Sequence, residues 1–284
     1  MRNLGIAALS FLILPLGTLL QAQSNSDPDP SKIQVLILTG QNVGEHQWWL
    51  TTPILREILQ DTNRFEVRVD EEVRGITAQT LAPYDLIVVN YYNRGPKQQW
   101  GPVTQSAVED FVRSGKGLVL YHVSLAAFDG WTEFERMSGG NWRPNKGLGH
   151  HSDPHAFTVD IKDTESPITQ GLKSSFPVQK DELYANLQWQ PAGTFHVLAT
   201  AYDNHSLYND PKDTQPIPGP GADEPILWTT QYGKGRVFIT ALGHFPDAAR
   251  NRGFQVTFAR GAEWAATGKV TLPIPPDMAA AAGK

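Results

Sequence analysis

Short apolar runs organise the first half of the chain. Ile33-Gln34-Val35-Leu36-Ile37-Leu38 is rich in branched residues, too brief for a helix, and ends in Thr39-Gly40, which predicts a first strand. Phe65 to Val69, Asp85 to Val89 and Gly117 to Tyr121 repeat that signature. Between them the period lengthens. Ile54, Leu55, Ile58 and Leu59 share one helical face after Pro53, with Thr51 or Thr52 expected as the cap, and Ala107, Val108, Phe111 and Val112 share another before Gly115. Strand and helix in alternation imply crossovers between parallel strands and a sheet covered on both faces.

Past residue 130 the rhythm loosens. Ala156 to Ile161, Phe195 to Thr200, Pro225 to Gln231 and Arg236 to Thr240 read as strands, and Tyr232-Gly233-Lys234-Gly235 as a hairpin turn that adds an antiparallel element. Phe254, Phe258, Gly261 and Ala265 recur at helical spacing over Gly253 to Ala266, and the proline-rich stretch Asn209 to Ala222 reads as a surface loop. The expected fold is α/β: a flavodoxin-like three-layer sandwich with a mainly parallel sheet, helices on both faces and an antiparallel hairpin addition.

Composition narrows the function. With 24 Lys plus Arg against 29 Asp plus Glu, the 284-residue chain offers no basic stripe for phosphate backbones, so no nucleic-acid partner is expected. Zero cysteines exclude disulfides, thiolate metal sites and a thiol nucleophile. The N-terminus changes the picture again: Met1-Arg2-Asn3 precedes the apolar run Leu4 to Leu20, and Leu20-Gln21-Ala22 resembles a cleavage site. Residues 1–22 are therefore expected to be a signal peptide, 23–31 a flexible leader, 32–270 one α/β domain and 271–284 a Pro/Ala-rich tail. The expected location is periplasmic or extracellular, with no stable membrane insertion after cleavage. A homo-oligomer is open.

In open α/β sheets, ligands lie beyond the carboxyl ends of the strands. Gln41 and His46 follow the first predicted strand, Asn90 to Arg94 the third, His122 and Ser124 the fourth, and Gly243-His244 the last, so three segments each place a histidine at one rim. His150, His151 and His155 crowd the stretch before another strand; Pro154 spoils a helical pairing, His150 and His151 are as easily solvated as ligating, and His155 is the better ligand. Imidazoles from His122, His155 and His244 with a carboxylate would suit zinc or a similar divalent metal, and no nucleotide cofactor is expected. Asp181-Glu182, two residues before Tyr184, is the acidic pair best set for proton transfer, whereas Asp223-Glu224 reads as a turn. Eight tryptophans, with Trp142 beside Arg143, favour a polyhydroxylated ligand whose C–H faces stack on indole.

Val35 to Gln41 with His46-Gln47-Trp48, Gly117 to His122, Asn141-Trp142-Arg143, Asp181-Glu182-Leu183-Tyr184, Ala199 to Tyr202, Asp223-Glu224-Pro225, Tyr232 to Val237, Leu242-Gly243-His244 and Gly261 to Ala265 together resemble the ThuA-like, trehalose-utilisation family. The resemblance covers nearly all the chain after residue 32. It implies a class I glutamine amidotransferase-like fold and a link to disaccharide or keto-sugar breakdown. Amidotransferases of that fold carry a cysteine on a strand-to-helix elbow; here the elbow would present His122 or Ser124, and Ser124 lacks a G-x-S-x-G context.

The resulting expectation is a sugar-processing enzyme acting on a disaccharide or keto-sugar by acid–base chemistry, with or without a metal. His122, Asp181 and Glu182 are expected to transfer protons; Gln41, His46, Asn90, Trp142, Arg143 and Tyr184 to bind substrate; His155 and His244, with His122, to hold a metal. The alternative is a non-catalytic carbohydrate-binding protein on the same fold.

Overall fold

The computed structural model of the chain describes residues 29, 31–41, 44, 46–93, 100–208 and 221–281. The signal and almost all of the leader, Arg94, and residues 209–220 of the proline-rich loop lie outside the described residues. Nine strands form one sheet in the order β2-β1-β3-β4-β11-β10-β9-β6-β7. The parallel half comprises β1 (Ile33–Leu38), β2 (Phe65–Asp70), β3 (Leu86–Val89), β4 (Gly117–Tyr121) and β11 (Gly235–Thr240). Its central strands β3 and β4 are buried along their whole length, which is why they read as unbroken apolar runs.

Helices α1 (Trp48–Asp61), α5 (Pro246–Ala249) and α6 (Arg252–Thr267) form one layer, and α2 (Ala78–Leu81) packs with α3 (Pro102–Arg113) in another. The sandwich expected from the sequence is therefore present. Helix α1 starts five residues before Pro53, and the predicted caps Thr51 and Thr52 are buried inside it, where both hydroxyls accept from Asn90 Nδ2. Asn251 caps α6, its side chain accepting from the amides of Gly253 and Phe254.

The antiparallel part extends beyond one hairpin. It contains β10 (Asp223–Tyr232), β9 (Phe195–Tyr202), β6 (His155–Ile161) and the edge strand β7 (Ser175–Asp181), all joined antiparallel. Strand β7, interrupted by Pro177 and largely alternating in burial, lacks the dense apolar run that marks β1, β3 and β4. This wing curls back: β7 touches α5 and α6, and so returns to the parallel half. A helix α4 (Thr132–Ser138) and a two-stranded ribbon, β5 (Gly140–Asn141) with β8 (Gln188–Trp189), complete the described α-helices and strands. Residues 271–281 pack rather than trail, since Glu263 accepts from the amides of Thr271 and Leu272 and Met278 is buried. Among the described residues no helix is long and apolar enough to cross a membrane.

Candidate metal centre at the strand ends

Strands β1, β4 and β11 of the parallel half end at the same rim, and the segment after each supplies a histidine there. His122 is the first residue after β4 and opens a short 3-10 turn with φ +34°, a left-handed conformation that costs a β-substituted residue about 1–3 kcal/mol. His46 follows β1 and His244 follows β11. Glu182 and Tyr184 come from the wing, directly after β7.

These groups converge. One donor atom each from His46, His122, Glu182 and His244 lies within 4.8 Å of every other. His122 Nε2 is 3.2 Å from His244 Nδ1 and 3.5 Å from Glu182 Oε2, and Glu182 Oε2 is 2.8 Å from His244 Nδ1. The tautomer of His122 follows from its other nitrogen: Nδ1 stands 2.8 Å from the carbonyl oxygen of Ala241, which only accepts, so Nδ1 carries the hydrogen and Nε2 aims a lone pair into the group. Donors bound about 2.1 Å from one cation stand about 3.0 Å apart at a right angle and about 3.4 Å apart at the tetrahedral angle. The spacings above bracket those edges. His46 Nε2 is buried without a hydrogen-bond partner. Three imidazoles and one carboxylate are a donor set that zinc and similar divalent ions accept, so these residues fit a metal.

The electrostatics favour deprotonated donors. Burial, reinforced by His122 and His244, holds His46 down at about 3. Burial would raise Glu182, but the neighbouring imidazoles of His122 and His244 outweigh it and keep the carboxyl well below its usual range. Tyr184 is pushed far up by burial and by Glu182, so its hydroxyl keeps its proton; it lies 3.0 Å from His122 Nε2 and donates to it. Trp142 lies against Tyr184, with ring centroids 4.6 Å apart, and against His151. His151, a third exposed, reaches the other oxygen of Glu182 at 3.4 Å. Its Nδ1 donates to the carbonyl of Ser152 at 2.8 Å.

Several expected members stand elsewhere. His155 is outside the group: its Nδ1 faces Ser152 Oγ and the Asp153 carbonyl, because β6 begins at His155 and carries its ring toward Phe157. His46 and Glu182 stand with His122 and His244 in its place. Arg143 is buried and spent on Glu135, Asp129 and the carbonyls of Leu125 and Trp142. Asn90 is buried against Thr51 and Thr52, and Gln41 lines a separate cavity of about 210 Å³ with Glu71, Arg74 and Tyr91. Asp181 has both oxygens on backbone amides. Burial raises it, opposed by His122 and by those amides. Ser124 Oγ is buried without a hydrogen-bond partner, so no Ser–His pair exists there. His151 is the member that sequence reasoning left undecided, and its neighbour Pro154 gave no structural cue to its direction.

A flavodoxin-like sheet with a His/Glu centre at the carboxyl ends of its parallel strands defines the class. Within it, the trehalose-utilisation family model, ThuA, matches residues 34–265, and the chain belongs to that family. A ThuA-like protein from Parabacteroides merdae is 30% identical, with a TM-score of 0.74 over 87% of this chain and 95% of its own. A second, from Bacteroides uniformis, is 19% identical, with a TM-score of 0.63 over 87% and 96%. A cytoplasmic protein of Salmonella typhimurium LT2, 15% identical with a TM-score of 0.53 over 82% and 99%, shares the fold. No curated protein matches the chain. The family points to a carbohydrate-related role.

Proposed function

We propose that the chain is an exported sugar-processing enzyme whose His46, His122, Glu182 and His244 hold one divalent cation, zinc or a similar ion. Its substrate is a disaccharide or keto-sugar of the trehalose type, altered by elimination, hydrolysis or isomerisation. The observation that carries this reading is the lone pair of His122 Nε2 aimed at His244 Nδ1 and Glu182 within coordination-edge distances. When bound, such an ion polarises a carbonyl or hydroxyl oxygen as a Lewis acid.

The chain's own groups supply the rest. Tyr184, kept protonated, donates a hydrogen bond to an oxygen that gathers charge. His151, on the solvent side of Glu182 with Nε2 facing the centre, takes or returns a proton. Trp142 offers a ring face to the sugar. A keto group acidifies the neighbouring C–H, so one placed base suffices without a strong acid. The N-terminal apolar run supports export. The absence of cysteine rules out thiol-dependent glutamine hydrolysis.

The test is product analysis with trehalose and 3-keto-disaccharides, with chelator and after metal replacement. Turnover of the keto-sugar, abolished by chelation and restored by zinc or manganese, is expected. Binding without product in every metal-loaded form would leave only the carbohydrate-binding alternative.

A further inference from the structure

Three of the four donors hang from the parallel half, after β1, β4 and β11; the fourth, Glu182, hangs from the wing after β7. In the sheet, β7 is four strands removed from β11. Hydrogen bonding within the sheet therefore does not bring these segments together. Asp181 does. Its Oδ2 accepts from the amide of Gly243 at 2.6 Å, and its Oδ1 accepts from the amides of His244 at 2.9 Å and Glu182 at 3.0 Å. The carboxylate is fully buried, so these bonds are not diluted by water. From the opposite side the Tyr121 hydroxyl bonds the carbonyl of Gly243. The turn that carries His244 is thus gripped at both its amides and its carbonyl.

From this geometry we infer that Asp181 is the positioning residue of the centre. It docks the wing onto the parallel half and sets Glu182, with Tyr184, against the histidines. Its hydrogen bonds all run to backbone amides, so it holds other groups in place and does not itself meet substrate. The inference rests on the metal reading above for its effect on affinity, and on the amide bonds alone for the docking. Outer partners of this kind commonly change metal affinity by about 10–100-fold.

The decisive variant is Asp181→Asn in the full chain, which keeps the shape but turns one acceptor into a donor facing an amide. Three readouts are needed: the metal dissociation constant by competition with a chromophoric chelator, the absorption spectrum of the cobalt-loaded protein, and hydrogen exchange at the Gly243 and His244 amides. Val178→Ala, a buried truncation in the same strand, serves as the control for simple loosening of β7. Asp181→Asn should weaken metal about 10–100-fold, shift the cobalt bands and speed exchange at both amides, while Val178→Ala keeps the wild-type affinity and spectrum. Unchanged affinity and spectrum in Asp181→Asn, or an equal loss in Val178→Ala, would overturn the inference. If the wild-type protein binds no metal, the metal reading fails and exchange decides the docking: protection retained in Asp181→Asn overturns it, protection lost sustains it. Should Asp181→Asn not fold, Asp181→Ser, which keeps one short acceptor, takes its place with the same criteria.

Discussion

Gly243→Ala is the sharpest test of how the centre is built. Gly243 sits at φ +106°, and a β-carbon there would lie 2.5 Å from Cε2 of Tyr121 and 2.7 Å from its hydroxyl oxygen. That ring is wholly buried and cannot swing into solvent. Two costs add: left-handed backbone, about 1–2 kcal/mol, and overpacking, about 1–3 kcal/mol, for a sum of about 2–5 kcal/mol. Gly147→Ala is the matched comparison, since Gly147 has φ +71° with no atom within 4 Å of the added carbon, so only the first cost applies. Urea unfolding of both metal-free variants measures the difference, and metal binding by each measures whether His244 has moved. Gly243→Ala should be the less stable by at least about 1 kcal/mol and should lose metal, while Gly147→Ala keeps it. Equal stability losses in the two would refute the close packing of Tyr121 on the His244 turn.

Other outcomes follow from the same geometry. His46→Ala should weaken metal sharply, whereas His155→Ala, outside the group, should leave affinity unchanged in the same titration. Tyr184→Phe should keep metal but lower kcat by about 10²-fold or more, because the hydrogen bond it donates to the charge-gathering oxygen of the substrate is lost. The metal-free protein should lose stability in acid: His46 binds its proton near 6.5 when unfolded but only at about 3 when folded, so the unfolded state holds more protons in between. The loss should approach about 1.4 kcal/mol per pH unit from this residue below pH 6.5, with Glu182 adding to it in stronger acid. His46→Gln should flatten the upper part of that profile in urea titrations.

The parallel half was legible because strands buried on both faces must be apolar throughout, as Leu86–Val89 and Gly117–Tyr121 are. The rim histidines His46, His122 and His244 followed from strand direction alone. Glu182 was visible as part of an acidic pair, but its place in the ligand set was not, since that depends on β7, whose alternating burial and Pro177 hide it. His155 misled because its ring direction is set by the start of β6, one residue earlier than the apolar pattern suggested. Arg143 and Asn90 looked like ligand-binding side chains, and a sequence carries no sign that their donors are consumed by Glu135 and by Thr51 and Thr52.

Metal titration of the full chain, read by X-ray absorption at the bound ion, addresses the centre most directly. One divalent ion per chain, surrounded by three imidazole nitrogens and a carboxylate oxygen and absent from His122→Ala and His244→Ala, is the predicted result. A wild-type protein that binds none, or binding that survives both substitutions, would contradict it.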